Sequence, residues 1–289
     1  MLKIGGILIV FICLIWGYLH SGGRLVAFWQ PGEIVIIMGC GIGTLVLANS
    51  GSVLKQILAQ LKEVMRKSRY NEVYSQQLLM LMYELLDSVQ NGGLRSLDNH
   101  IENPSDSELF QRYPLIASDP ELCTFIADNF RMMAMGKINE HELEGLLEQE
   151  LNSVEENLLQ ASRSLQRMGE AMPGFGICAA VLGIVITMQS IDGSIAVIGV
   201  KVAAALIGTF LGVFICYCLI DPLANAMEQL VKKKMTSFEC LRTIMVNQVA
   251  GKPPLLAVDA GRKMLPVENK PSFTQLESWV DTRQEAQAA

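Results

Sequence analysis

Thr209 stands between Gly208 and Gly212 in a run, 202–220, that holds no charged residue. A hydroxyl flanked by glycines in such a run can line an ion path, or it can bond back to a carbonyl of its own helix. The residue type leaves both open. Thr44, Thr187, Gln189 and Tyr217 are among the few other polar groups in apolar runs of this kind. No Asp, Glu, Lys, Arg or His falls in the middle of any of these runs, and Glu33 and Asp221 sit at ends. An ionisable group inside a membrane is the ordinary mark of a proton or ion path. The chain therefore either moves no ions or takes the carboxylate from a partner. Other chemistries fall away. No nucleophile motif appears, and Asp, Glu and His do not converge on a pocket, so no catalytic residue is expected. Seven cysteines include no CxxC or CxxxC pair, which leaves no metal site or disulfide framework. The run Gly39-Cys40-Gly41-Ile42-Gly43 lacks a preceding strand and a later ribose-binding acid, so it is no dinucleotide loop, and no cofactor is expected. A net charge of −6 supplies no basic field for nucleic acid.

The elements that must carry these residues are apolar helices. Hydrophobic residues make up 51% of the 289 and charged residues only 18%, with a mean hydropathy of +0.32. The excess sits in four charge-free blocks, 4–23, 34–54, 171–191 and 202–220. A bilayer core needs about 20 helical residues at about 1.5 Å each, and all four blocks meet that length. They predict transmembrane helices at about 2–20, 32–50, 171–191 and 200–220. Lys3 followed by an apolar run also suits a signal peptide, but the run is long for one and no A-x-A-like site follows. Lys and Arg concentrate in 51–168 and 221–289, with Lys55, Lys62, Arg66, Lys67 and Arg69 close behind helix 2 and Lys232, Lys233 and Lys234 behind helix 4. The positive-inside rule then puts both segments and both termini in the cytoplasm.

The expected fold class is an all-α integral membrane protein of four transmembrane helices, with a helical cytoplasmic domain between helices 2 and 3. The domains are 1–50 (helices 1 and 2), 51–170 (cytoplasmic), 171–220 (helices 3 and 4) and 221–289 (cytoplasmic tail). Within 51–170, Leu54, Ile57, Leu58, Leu61, Val64 and Met65 recur at helical spacing, as do Leu78, Leu79, Met82, Leu85, Leu86 and Val89. Gln90-Asn91-Gly92-Gly93 stops the second of these helices. Ser105 with Glu108 reads as a capping box after Asn103-Pro104, and a further long helix runs from about 139 towards 168. In the spans, Gly176 and Ala180, Ala179 and Gly183, and Ala204, Gly208 and Gly212 repeat at spacing four. Small residues at that spacing let helix backbones approach closely in lipid. Pro173 begins helix 3 and Pro222 ends helix 4, and residue type favours plain boundaries over hinges.

Layout and motifs together resemble the MotA family of flagellar stator subunits, within the MotA/TolQ/ExbB superfamily. The matching stretches are Gly17-Tyr18, Gly22-Gly23, Gln30-Pro31 and Glu33; Ser96-Leu97-Asp98 with Ile101-Glu102-Asn103-Pro104; Pro173-Gly174-Phe175-Gly176 with Gly183; Gly208 to Gly212; Pro222-Leu223; and Pro271-Ser272-Phe273 with Leu276-Glu277. The resemblance implies a bacterial inner-membrane protein that is no enzyme. It implies five copies around two chains of a single-span MotB-type partner, which brings the missing membrane Asp. Thr209 matches the family's pore-facing Thr. Ala180 stands where sodium-driven relatives carry Thr, which implies a proton-driven motor. Pro173 and Pro222 match the coupling prolines, against the boundary reading. Asp98 stands at the family's Glu position, facing the rotor switch protein of the C-ring, and Glu150 matches another acidic position. Gln90 stands where an Arg is expected, so half of that charge pattern is absent. A lateral or secondary flagellar system with its own rotor accommodates such drift. Two rivals remain: a TolQ- or ExbB-like energiser of envelope processes, and a passive membrane scaffold.

Overall fold

A computed structural model describes residues 2–66, 68–104, 106–136, 138–189 and 194–288. Among the described residues there is no strand. The α-helices are α1 (Leu2–His20), α2 (Pro31–Ala48), α3 (Gly51–Val64), α4 (Glu72–Gly92), α5 (Asp98–Glu102), α6 (Glu108–Gln111), α7 (Pro114–Ala117), α8 (Pro120–Met135), α9 (Glu140–Met188), α10 (Ile195–Phe214), α11 (Asp221–Val249), α12 (Pro254–Arg262) and α13 (Phe273–Ala288). A 3-10 turn, Leu25–Phe28, leads into α2, and a π-helical turn, Ile215–Ile220, joins α10 to α11. Four helical segments are long and apolar enough to cross a membrane: Lys3–His20, Leu25–Ala48, and stretches within Glu140–Met188 and Ile195–Val249. The chain forms two compact units, Met1–Lys67 with Asn157–Leu230, and Ser68–Glu156 with Val231–Ala289.

The first unit holds all four spans. Its core joins Ile37, Val53, Ile57 and Val64 to Ala161, Leu165, Met172 and Ala179, and these to Cys216, Ile220, Ala224 and Met227. The stripe expected from residue 54 onwards thus supplies α3's buried face, with Ile57 and Val64 inside it. Outward-facing apolar side chains are many: Leu8, Ile9, Ile12 and Trp16 of α1 and Ile184, Val185 and Ile186 of α9 are exposed. A continuous apolar surface of this kind suits lipid or a partner helix, not water. An aromatic chain ties α1 to α10: Phe11 meets Phe214 edge-on at 5.5 Å, Tyr18 meets Phe28 at 4.6 Å, and Phe28 meets Phe210 at 5.6 Å.

The second unit is built on α4, whose Leu78, Leu79, Leu81, Met82, Leu85 and Leu86 are fully buried. Asn71 caps its start by accepting from the Tyr74 amide at 2.9 Å. Gly93, with φ of +73°, ends it and donates to the Val89 carbonyl at 2.8 Å, a backbone twist that glycine adopts freely. Ser107 caps α6 by accepting from the Phe110 amide; Ser105, expected in a capping box, lies outside the described residues. Ser272 and Gln275 cap α13 reciprocally at 2.7 and 3.1 Å. Gly261 on α12 lies so close to the Cys240 carbonyl and Ile244 of α11 that any side chain there would collide.

Candidate functional site: a glycine seam between two spans

Gly176 and Ala179 of α9 meet Gly208 and Gly212 of α10 as their spacing predicts, while Gly183 meets Ala205, one position past the expected Ala204. A Cβ placed on Gly176 would come 2.8 Å from the Gly208 carbonyl, 3.1 Å from Gly212 Cα and 3.3 Å from Thr209 Cα. One on Gly212 would come 2.6 Å from the Met172 carbonyl. All these neighbours are backbone atoms, so the helices are as close as glycine allows. Ala179 packs beside Gly208 and is buried, while Ala180, one turn beyond Gly176, is half-buried at the edge of the seam.

Thr209 lies on this seam. Thr44 and Thr187 spend their hydroxyls on their own helices, donating to the carbonyls of Gly41 at 2.9 Å and Gly183 at 2.8 Å. Thr209 is half-buried, and among the described residues its hydroxyl makes no hydrogen bond. The back-bonded alternative thus describes two of the three membrane threonines and not Thr209.

Neither proline is a helix boundary. Pro173 lies inside α9, where its missing N–H leaves the Gly169 carbonyl four residues back without its helical donor. Pro222 is the second residue of α11, directly after the π-helical turn. Continuity survives there because a widened i→i+5 turn relieves the clash between the proline ring and the carbonyl four residues back. A Cβ on Gly169 would come 2.7 Å from Ile220 Cγ2. The weak point of α9 therefore rests against the end of the π turn beside Pro222. Residue types could not reveal this, because both prolines fall at the edges of apolar blocks.

Sequence reasoning also placed Glu33 at a helix end and stopped there. Its side chain reaches inward: Oε2 lies 2.6 Å from where a Cβ on Gly208 would be, and Oε1 3.3 Å from one on Gly183. The seam therefore carries a carboxyl from this chain. The signal available in sequence was the pairing of Glu33, in the first turn of α2, with glycines at 183 and 208.

The other predicted residues lie in the second unit. Gln90 is exposed near the end of α4. Asp98 is the exposed first residue of α5, just past a 3-10 turn, Leu94–Leu97. Ser96 holds the intervening bend by donating to the Ser88 and Gly93 carbonyls at 2.8 and 2.7 Å. Arg95 is exposed in the same bend. Glu150 is half-buried on α9 and accepts from Asn129 Nδ2 at 3.0 Å, so it is partly occupied within the unit. Below α4's end, Glu84 gathers Arg112 Nη1 at 2.9 Å, Tyr113 Oη at 2.6 Å and Arg283 Nε at 2.6 Å, the last poorly aligned for a hydrogen bond. Burial first, and the Glu84 carboxylate next, push the Tyr113 phenol above its usual range, so it stays a donor. Among the described residues no group of His, Cys, Asp and Glu is arranged to hold a metal.

Comparison with known proteins places this arrangement. Residues 4–93 match the Motility protein A N-terminal family, and 119–240 match the MotA/TolQ/ExbB proton channel family. The chain is 51% identical over 280 residues to the chemotaxis protein LafT of Vibrio parahaemolyticus, covering 97% of this chain and 98% of that one. It is 37% identical to motility protein A of Escherichia coli, covering 97% and 95%. A solved structure of C. jejuni MotAB shares the fold at a TM-score of 0.73 and 17% identity, over 93% of this chain and 97% of that one. The flagellar MotAB stator complex from Bacillus subtilis matches at 0.64 and 20%, over 89% and 92%.

Proposed function

The chain belongs to the MotA/TolQ/ExbB proton channel family as a MotA-type motility protein, and we propose that it drives a flagellar rotor by passing protons along the α9–α10 seam. It is a stator subunit of the multi-pass, inner-membrane kind, a channel component and not an enzyme, and it works in an oligomer with a MotB-type partner. In this reading 1–50 and 171–220 lie in the membrane. Segments 51–170 and 221–289 and both termini face the cytoplasm, as the Lys and Arg distribution directs. Five copies surround two partner chains, whose single spans each bring a membrane Asp to the seam.

The observation that carries the reading is the free Thr209 hydroxyl on a glycine-tight contact, where a partner carboxylate can approach backbone and hydroxyl together. Ala180 at the seam's edge offers a methyl and no oxygen, which suits protons over Na⁺. One charge crossing 100 mV supplies about 2.3 kcal/mol per step. Pro173 and Pro222, linked through Gly169 and Ile220, pass a shift at the seam along α9 and α11. Exposed Asp98, with Gln90 and Glu150, meets the rotor switch protein of the C-ring.

The test is complementation. Stator-null, flagellated bacteria receive this chain with and without its cognate MotB-type partner, and rotation of tethered cells is recorded. The expected result is rotation that needs both proteins, persists without sodium and stops with a protonophore. Rotation that requires sodium would overturn the proton assignment, and none with the cognate rotor present would overturn the stator reading. Asp98→Lys is expected to lower torque while leaving partner binding intact; normal swimming would remove Asp98 from the rotor interface.

A further inference from the structure

The carboxyl of Glu33 has a seat but no partner. Its Oε2 is buried without a hydrogen bond. It occupies space that any side chain at 208 would fill, with Gly183 and Ala205 beside it. An unpaired buried polar atom costs stability, and nothing in the packing recovers that cost, since an uncharged side chain would fill the same space. Among the described residues, the stretches of α9 and α10 beside Gly183 and Gly208 carry no counter-charge close by. The described membrane stretch of α9, 171–188, carries no Asp, Glu, Lys, Arg or His, and its one titratable group near Gly183 is Cys178. On α10 the charged residue is Lys201, seven positions before Gly208 and about 10 Å along the axis. Gly208, which admits the carboxyl, is followed directly by Thr209.

The geometry points to Glu33 as a proton-binding station of the chain's own, upstream of Thr209 on the path to the partner's carboxylate. It rests on the proton-conducting reading above and extends it by one residue. A proton from water near the loop ends of α2 and α9 binds Oε2 and makes the acid. It then leaves along the seam past Thr209 to the ionised carboxylate of the partner, which becomes the acid, and Glu33 returns to carboxylate. Glycine at 183 and 208 is required because the carboxyl must lie flush with both helices. With such a station, proton supply to the path stays adequate when protons outside are scarce.

The experiment uses the full chain with its cognate partner in stator-null cells. Tethered-cell rotation is measured from acid to alkaline external pH for wild type, Glu33→Gln and Glu33→Asp, with membrane level and partner co-purification measured alongside. Expected is normal assembly of Glu33→Gln with rotation slowed about tenfold at alkaline pH, a decade below the usual gain from a positioned proton-transfer group. The deficit relative to wild type should shrink as external pH falls, and Glu33→Asp should keep most of the speed. Wild-type speed for Glu33→Gln at every pH, or a slowing equal at every pH, would overturn the station. If the Gln variant does not assemble, Glu33→Asp decides: a deficit that grows with external pH supports the proposal, and a pH-independent one overturns it. Loss of the partner's membrane Asp must stop wild-type rotation at all pH values. If it does not, the conducting reading fails first, and the station with it.

Discussion

Glu84 and Glu33 are the same residue in opposite circumstances. Glu84 in the second unit is 4% exposed and is surrounded by Arg112, Tyr113 and Arg283. Glu33 in the first unit has a buried oxygen with no donor at all. A buried carboxylate with several donors organises a structure: here it ties α4 to the segment after α6 and to α13. An unpartnered one weakens a structure, and where it persists the reason is sought in function. The difference extends to the helix contacts. α4 packs through large side chains, whereas at Gly176 and Gly212 the close neighbours of α9 and α10 are backbone atoms. A side-chain core can relax around a change. A backbone contact cannot, and it leaves a smooth surface against which another helix can move.

The largest effect should therefore come from the seam. In Gly212→Ala the new methyl would lie 2.6 Å from the Met172 carbonyl and 3.0 Å from Gly176 Cα. The helices must separate, at an expected cost of about 3 kcal/mol. Membrane level and partner co-purification should both collapse. Gly39→Ala on α2, where nothing lies within 4 Å, is the matched control and should be silent. Equal behaviour of the two variants would show that the close approach is not what holds α9 to α10.

Next is Glu84→Ala. It leaves the Arg112 and Arg283 guanidinium groups facing a buried gap, but both are partly exposed (47% and 28%) and can turn to water. That limits the expected loss to about 2 kcal/mol, read as a lowered Tm of the detergent-solubilised complex. Glu33→Gln should leave Tm within error while changing rotation. A Tm loss at Glu33 as large as at Glu84 would erase the contrast between the two carboxyls.

The parts legible in sequence were those set by composition over many residues or by one strict steric rule. Four charge-free blocks announce the spans, and α1 runs over Leu2–His20 where about 2–20 was expected. Gly93 at the end of α4 and the small residues of α9 and α10 follow from chirality and van der Waals radius. What was not legible depends on reach and continuity. Blocks 171–191 and 200–220 mark where α9 and α10 are apolar, but hydropathy cannot tell that α9 is one helix from Glu140 to Met188. It also cannot show that a π-helical turn carries α10 into α11 through Pro222. Glu33 looked terminal because position along a helix was taken for position of the carboxyl, and a glutamate side chain spans about a helical turn.

The smallest expected effect belongs to Asp259 of α12, a third kind of carboxylate, buried and fully paired within its own helix and the residue that follows it. It lies 2.7 Å from Arg262 Nε and 3.1 Å from Lys263 Nζ. Burial alone would raise its pKa, but the bonds and charges of Arg262 and Lys263 outweigh that and hold it below the ordinary value of 3.8. A group with a lowered folded pKa contributes stability above its unfolded value and loses it as pH falls through the folded one. Asp259→Asn should therefore be less stable than wild type near neutral pH, and the gap should close as pH drops below 3.8. Thermal melts of the purified complex across the acid range measure it. Since Arg262 also donates to the Pro271 carbonyl at 2.8 Å, part of its hold on the α12–α13 connection survives the substitution. A gap that stayed constant with pH would mean that Asp259 acts through shape and hydrogen bonding alone, leaving the charge without effect.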